Sequence, residues 1–396
     1  MSQPAGQAPP GARRTALILG VAQTLAWAVT YYLPAVVAPV VVADLGADPA
    51  LVYGAFSAAL LISGLAAPRV GRAIEGRGGR PVLLASAGLL ALGLLLLGLL
   101  PGLWGWAAGW MVLGLGMAMG LYEAAFATLG VLYGRAARRP ITLVTLLAGF
   151  ASTVGWPMSA ALVPLLGWRG TCLAYAAMLL LVVLPLYWLL PRAAAAAETL
   201  PGAAPETPDP VLPAAWVRRS FLLLAVFFTL RAIISATLSV HLIAVLGGLG
   251  LSVTAAVAAA ALMGPSQVGG RLLEFTLGRA AHPLMAARLG GALLPLGALL
   301  LVLAGPAAAV PFVLLYGASN GIMTISRGAL PLALFGPRGY PVLMGRLALP
   351  ILLAQAAAPM LTAPLVAHWP ATAVLGAAGL LALAALACLL PLRRAP

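Results

Sequence analysis

Twelve apolar stretches of about 20 residues or more follow one another along this chain, separated by short polar gaps that hold most of its arginines. They fall near 15–43, 51–70, 82–100, 104–132, 141–166 and 168–190, then near 217–246, 252–275, 284–304, 310–334, 345–367 and 371–390. A helix of roughly 20 apolar residues spans the hydrocarbon core of a bilayer. Composition excludes a water-soluble alternative. Only 8% of the 396 residues are charged and 63% are hydrophobic, where a soluble chain carries about 25% charge. Mean hydropathy is +1.08. The expected fold class is an all-α membrane protein of twelve transmembrane helices, with membrane lipid as its surroundings and partner.

The net charge of +14 does not indicate a nucleic-acid partner. The 22 basic residues are all arginine, and nearly all sit in the gaps between apolar runs. A nucleic-acid reader would gather them on one soluble face with aromatic residues interleaved. Their positions set the orientation instead, because cytoplasmic loops accumulate arginine. With both termini inside, 19 of the 22 fall on the cytoplasmic side, Arg169 alone faces outward, and Arg231 and Arg327 lie within helices. The outer loop after the first helix carries Asp44 and Asp48. The expected location is the cell inner membrane, multi-pass, with cytoplasmic termini. The apolar run after Arg13-Arg14 exceeds a signal-peptide core of about 7–15 residues and is expected to remain as the first helix.

The gap over 191–216 is rich in Ala and Pro and holds Glu198, Glu206 and Asp209. Such a segment buries too little apolar surface to fold alone. It divides the chain into an N-terminal six-helix bundle (1–190), a cytoplasmic linker (191–216) and a C-terminal six-helix bundle (217–396).

The halves repeat each other in parallel. Gly71-Arg72-Ala73-Ile74-Glu75 after the second helix recurs as Gly270-Arg271-Leu272-Leu273-Glu274 after the eighth, and Pro157-Met158 recurs as Pro359-Met360. Trp168, opening the sixth helix, recurs as Trp369 before the twelfth. The loop Gly71, Glu75, Gly76, Arg77, Gly78, Gly79, Arg80 resembles the loop between helices two and three of the major facilitator superfamily, as it occurs in prokaryotic secondary transporters. Its leading glycine, acid, second glycine and last basic residue match that pattern, while Gly76 and Gly79 depart from it. The resemblance covers the whole chain and implies alternating access between two bundles about a central site. From position alone, Glu75 lies on the cytoplasmic face, where the eleventh helix begins near Gly345. There a carboxylate favours the helix dipole and pairs with local arginines. Gly71, Glu75, Arg77, Gly78, Arg80, Gly270, Arg271 and Glu274 are therefore the candidate cytoplasmic gate, against the alternative of a solvated loop. The approximate Gly149, Gly155, Trp156, Pro157 match to the glycine-rich fifth helix of family antiporters leans towards export.

Three ionisable residues lie deep in apolar helices: Glu123 in the fourth, Arg231 in the seventh and Arg327 in the tenth. At 1.5 Å per residue each is roughly 16–18 Å from the nearest cytoplasmic arginine on its helix, close to the middle of a core about 30 Å thick. A lipid-facing charge there costs about 2.5–3.5 kcal/mol or more, so these residues are expected to face an interior cavity. The family resemblance implies that helices one, four, seven and ten line it. Gln23, Trp27 and Tyr31 form a stripe at helical spacing on the first helix, and Tyr316, Asn320, Met323 and Arg327 form one on the tenth. Candidate substrate-binding residues are Gln23, Trp27, Tyr31, Glu123, Arg231, Asn320 and Arg327, with Glu123 carrying a coupling proton.

Two arginines against one glutamate suit a small organic anion as substrate, carried with a proton. A proton-driven exporter of amphipathic or drug-like compounds is the second reading, with Trp27, Tyr31, Phe227, Phe228 and Met323 as an apolar wall. A membrane sensor or structural protein, with Glu123 and Arg327 as a purely structural ion pair, is the third. No enzyme is expected. Gly317-Ala318-Ser319-Asn320-Gly321 matches a hydrolase nucleophile pattern but lies inside a membrane helix. No cofactor or metal is expected either: His241, His282 and His368 are far apart in sequence, and Cys172 and Cys388 sit inside apolar runs as packing residues.

The topology has a direct test. Single cysteines placed at Asp48, Gly102 and Ala307 in a cysteine-free background should react in intact cells with an impermeant thiol reagent. Cysteines at Gly78, Ala137 and Glu206 should stay unlabelled, and their labelling would overturn the twelve-helix topology.

Overall fold

The computed structural model describes residues 11–192, 213–277 and 282–393. Most of the linker expected over 191–216 lies outside them, with Glu198, Glu206 and Asp209, and so do Arg279 and Arg394. Every regular element among the described residues is helical, as expected where no water can satisfy an open backbone.

The first crossing consists of Ala12–Val29 and Pro34–Leu45, the second of Pro49–Arg77, and the third of Gly79–Leu99. The fourth is split into Gly102–Gly120 and Tyr122–Tyr133. Arg138–Ala148 and Ala151–Met178 carry the fifth and enter the sixth, with the turn between crossings at Gly167. A φ of 68° there is open to glycine and strained for other residues. The sixth ends through a π-helical turn, Leu179–Val183, and Leu184–Trp188. Ala214–Gly248 is the seventh crossing, Val253–Ala261 with Met263–Leu277 the eighth, and Pro283–Ala304 the ninth. Ala309–Phe335, Tyr340–His368 and Ala371–Leu389 complete the chain. The all-α expectation and the twelve apolar runs are both accounted for. Among the described residues, eight stretches are long and apolar enough to cross a membrane, two of them holding several crossings. The eighth crossing, with a turn at Leu262, is not in that set.

Contacts group the chain into two compact units. One comprises Met1–Asp209 with Gly336–Leu349, and the other Pro210–Phe335 with Pro350–Pro396. The opening turns of the eleventh crossing thus pack with the first unit although the rest of that helix packs with the second. Leu165, Leu181, Leu303 and Met360 are each 74% exposed or more, which in this chain means contact with lipid.

Lipid tails are as apolar as leucine, so helices associate through close packing, and small residues let their backbones approach. A β-carbon on Gly114 would run into the backbone of Ala59, pressing the fourth crossing on the second. In the second unit Gly270 is packed against the carbonyl of Ala318, and Gly321 against that of Gln267, so the eighth and tenth crossings meet the same way. At the end of the first crossing, Asp44 accepts from the Trp168 indole at 2.9 Å and from Arg169 at 2.8 Å. The Arg169 guanidinium also lies over the Trp168 ring, 4.2 Å from its centre.

Gly321→Val should lower stability by about 1–3 kcal/mol, the usual cost of overpacking, because the obstruction is backbone. Gly54→Ala, where a β-carbon meets nothing within 4 Å in the interior of a helix, should keep the melting temperature or raise it slightly. Thermal unfolding in detergent, followed by size-exclusion chromatography, compares the two.

Candidate functional site

The first unit carries Gln23, Trp27, Tyr31 and Glu123, and a feature of the fourth crossing decides their arrangement. The helix opens at Leu121, whose backbone is extended at φ −90°, ψ −164°. An opened helix leaves carbonyls on one side of the break and N–H groups on the other without intrahelical partners. The Gly120 carbonyl accepts from the Gln23 side-chain amide and from the Tyr187 hydroxyl, and Gln23 donates to Tyr187 at 3.2 Å. Gln23 is fully buried. Its Oε1 has no hydrogen-bond partner among the described residues. Past the break, Glu123 stands in the first turn of a new helix, where the helix dipole favours a negative charge.

Aromatic rings cover this region. Trp27 lies 4.8 Å from Tyr122 and 4.9 Å from Tyr31, and Tyr31 continues to Phe56 at 5.5 Å and thence to Trp110 at 5.2 Å. These are tilted and edge-on pairs, the arrangements the ring quadrupole favours. The Trp27 Nε1 is buried and without a partner among the described residues.

The candidate gate residues of the first unit gather around the opening of the eleventh crossing. That helix begins at Tyr340, five residues earlier than the sequence suggested. A side chain on Gly71 would collide with the Pro341 carbonyl, one on Gly345 with the Ala67 carbonyl, and one on Gly130 with the Tyr340 ring. Glu75 is exposed, and its Oε1 lies 3.8 Å from where a β-carbon on Gly339 would stand, just before that helix. Gly78 ends the second crossing at φ 78°, its N–H donating to the Ile74 carbonyl. Arg77 is exposed, while the Arg80 guanidinium sits 4.9 Å from the centre of the Trp188 ring. The repeated copy is placed differently. Gly270, Arg271 and Glu274 lie within the helix Met263–Leu277, and Arg271 and Glu274 are buried at 5% and 8% exposure.

In the second unit the structure brings Arg231 and Asn320 together. Arg231 is buried, and its Nη2 donates to Ser319 Oγ and to Asn320 Oδ1, both at 3.0 Å. Ser235 donates to the same Asn320 oxygen at 3.0 Å, Ser319 donates onward to the Gly290 carbonyl at 2.6 Å, and Tyr316 donates to the Ser235 carbonyl at 3.3 Å. Crossings seven, nine and ten thus meet in one polar cluster. Arg231 Nε and Nη1 have no hydrogen-bond partner among the described residues. Arg327 is half-buried, two turns further along the tenth crossing. Phe227 and Phe228 are buried, with their rings 4.9 Å apart.

Sequence reasoning weighed Ser319 only as a nucleophile, and passed over Ser235, Tyr187 and the break at Leu121. Serines are common in membrane helices and carry no signal of their own. The break had one faint mark, the glycine before it.

Two of three comparisons place the chain among known proteins. The family model described as the Major Facilitator Superfamily matches residues 18–345. The crystal structure of the human organic anion transporter MFSD10 (TETRAN) superposes with a TM-score of 0.75 at 17% identity, over 96% of this chain and 100% of that one. No curated protein sequence matches. At that identity the structural likeness carries the fold, and the family model carries membership. On residues 18–345 and the helical fold described above, the chain belongs to the major facilitator superfamily, and is a transporter rather than an enzyme.

Proposed function

We propose that this protein carries a small organic anion across the inner membrane together with a proton, the bundles 1–190 and 217–396 giving the site alternating access. One observation carries the anion. Arg231 is buried in the seventh crossing, held through Nη2 by Ser319 and Asn320, and keeps two further N–H positions without partners among the described residues. A buried cation with open donors is destabilising until an anion meets it. A carboxylate is the group a guanidinium matches. Held from one side by neutral partners that bring no counter-charge, Arg231 retains its charge for the solute. Arg327 adds a second cation on the tenth crossing. The similarly folded human protein is described as an organic anion transporter; the arginine, not that likeness, supports the anion here.

Glu123 is the proton carrier in this reading. It begins a half-helix at the break in the fourth crossing, where small movements of the joint change how strongly the helix end stabilises its charge. The amide N–H of Gln23 is engaged by the opened backbone of that joint, which leaves its Oε1 as the atom for the solute. Trp27 and Tyr31 wall the region, and Asn320 orients Arg231. Glu75 and the glycines around the start of the eleventh crossing form the cytoplasmic latch. A proton-driven exporter of amphipathic compounds is the second reading, favoured by the cluster of Trp27, Tyr31 and Tyr122 beside Glu123.

Proteoliposome uptake and binding separate these. Arg231→Gln should weaken binding of small carboxylates by about 2–5 kcal/mol, the usual cost of truncating one member of a buried charge pair. Arg231→Lys should recover only part of it, having lost the planar fork. Normal carboxylate binding by Arg231→Gln, or stabilisation of the wild type by lipophilic cations alone, sinks the anion reading. Glu123→Gln should abolish accumulation driven by a pH gradient while solute exchange persists. Accumulation that survives this substitution places the proton elsewhere.

A further inference from the structure

The motif that opens on Gly71 in the first half has a counterpart whose behaviour the gate does not explain. Arg72, in the first copy, is exposed, as a solvated cytoplasmic arginine should be. Arg271, its equivalent, is 5% exposed, and its Nε and Nη1 are buried with no hydrogen-bond partner among the described residues. The same two nitrogens are open on Arg231. Glu274, three residues on and 8% exposed, brings a negative charge to the same face of the helix, yet those two donors of Arg271 remain open.

Packing explains how the two arginines are related. Gly270, next to Arg271, is pressed on Ala318, and Gln267 is pressed on Gly321. Between those two contact points, Ser319 and Asn320 hold Arg231. A single turn of the tenth crossing, Ala318 to Gly321, therefore fixes Arg231 from the seventh crossing and the backbone next to Arg271 from the eighth. Because that contact is backbone against backbone, the level of Arg271 in the bundle is set as firmly as that of Arg231. A solute with one carboxylate answers one of these cations. One with two acidic groups answers both.

We propose that Arg271 is a second anion-holding residue of the C-terminal bundle, and that the solute is a small dianion, such as a dicarboxylate, held by Arg231 at one end and Arg271 at the other. This rests on the anion reading of Arg231 and narrows it to a substrate class.

Matched probes test it: succinate against butyrate, and phthalate against benzoate, titrated calorimetrically into the purified full-length protein. The wild type should bind each dianion more tightly than its monoanion partner. Arg271→Gln should weaken the dianions by about 10-fold or more, and the monoanions by less than about 2-fold. Arg271→Lys keeps the charge and guards against misfolding of the glutamine variant. It should fall between the two, because the guanidinium donors are lost. Arg231→Gln should weaken all four probes. An unchanged preference for dianions in both Arg271 variants overturns the proposal, even if the melting temperature falls, because the residue would then be structural. If Arg231→Gln still weakens all four in that case, the broader anion reading survives. A wild type that binds neither dianion overturns the proposal outright, and dianion binding indifferent to Arg231→Gln removes the anion reading on which it stands.

Discussion

A charge held inside a lipid-immersed bundle has no water to fall back on, and the second unit is organised around that constraint. Arg231 would cost about 2.5–3.5 kcal/mol or more if left facing lipid. Its Nη2 is met by Ser319 and Asn320, and each of these partners is tied to a further group: Ser319 to the Gly290 carbonyl, Asn320 to Ser235. Three crossings are thereby fixed around one side chain. Such a network needs backbones close enough for short side chains to reach. Gly290 packs on Ile322 and Met323, and Gly270 and Gly321 bring the eighth crossing onto the tenth. Close packing and polar satisfaction are one arrangement, since loss of the glycine contacts would move the serine and asparagine out of reach.

The first unit handles buried polarity through the backbone. Opening the fourth crossing at Leu121 exposes the Gly120 carbonyl, and Gln23 and Tyr187 close over it. A buried carbonyl left unmet costs about as much as a lost hydrogen bond, so the break persists because a fully buried amide from the first crossing stands opposite it. The result is a helix end inside the membrane, with Glu123 in its first turn. The halves repeat in sequence, yet one places an arginine among side-chain partners and the other a carboxylate at a helix end. The copies of the glycine–arginine–glutamate motif differ in the same way, exposed around Glu75 and buried around Arg271 and Glu274.

Part of the site was readable in advance. Counting residues along straight helices gave expected depths for Glu123, Arg231 and Arg327, and the stripe Tyr316, Asn320, Met323, Arg327 marked one face of the tenth crossing. Asn320 does stand beside Arg231. Gln23 shows the limit of such reading. Its spacing with Trp27 and Tyr31 suggested a shared cavity face, whereas its amide is engaged with a carbonyl 97 positions away in the chain. Periodicity reports which way a side chain leaves its own helix. It does not report what the neighbouring helix offers.

By itself the sequence determined that lipid surrounds this protein, that it crosses the bilayer twelve times and that its halves are repeats. Each of these depends on transfer free energies or spacings that add up locally, residue by residue, whatever the rest of the chain does. Only the tertiary structure decided which buried polar atoms are satisfied, where the fourth crossing opens, and that Arg271 is enclosed while Arg72 is not. Those outcomes rest on hydrogen bonds and backbone contacts of short range in space between residues far apart in sequence. Arg231 and Ser319 are 88 positions apart, and whether two such groups meet within 3 Å is settled only when the helices between them have packed.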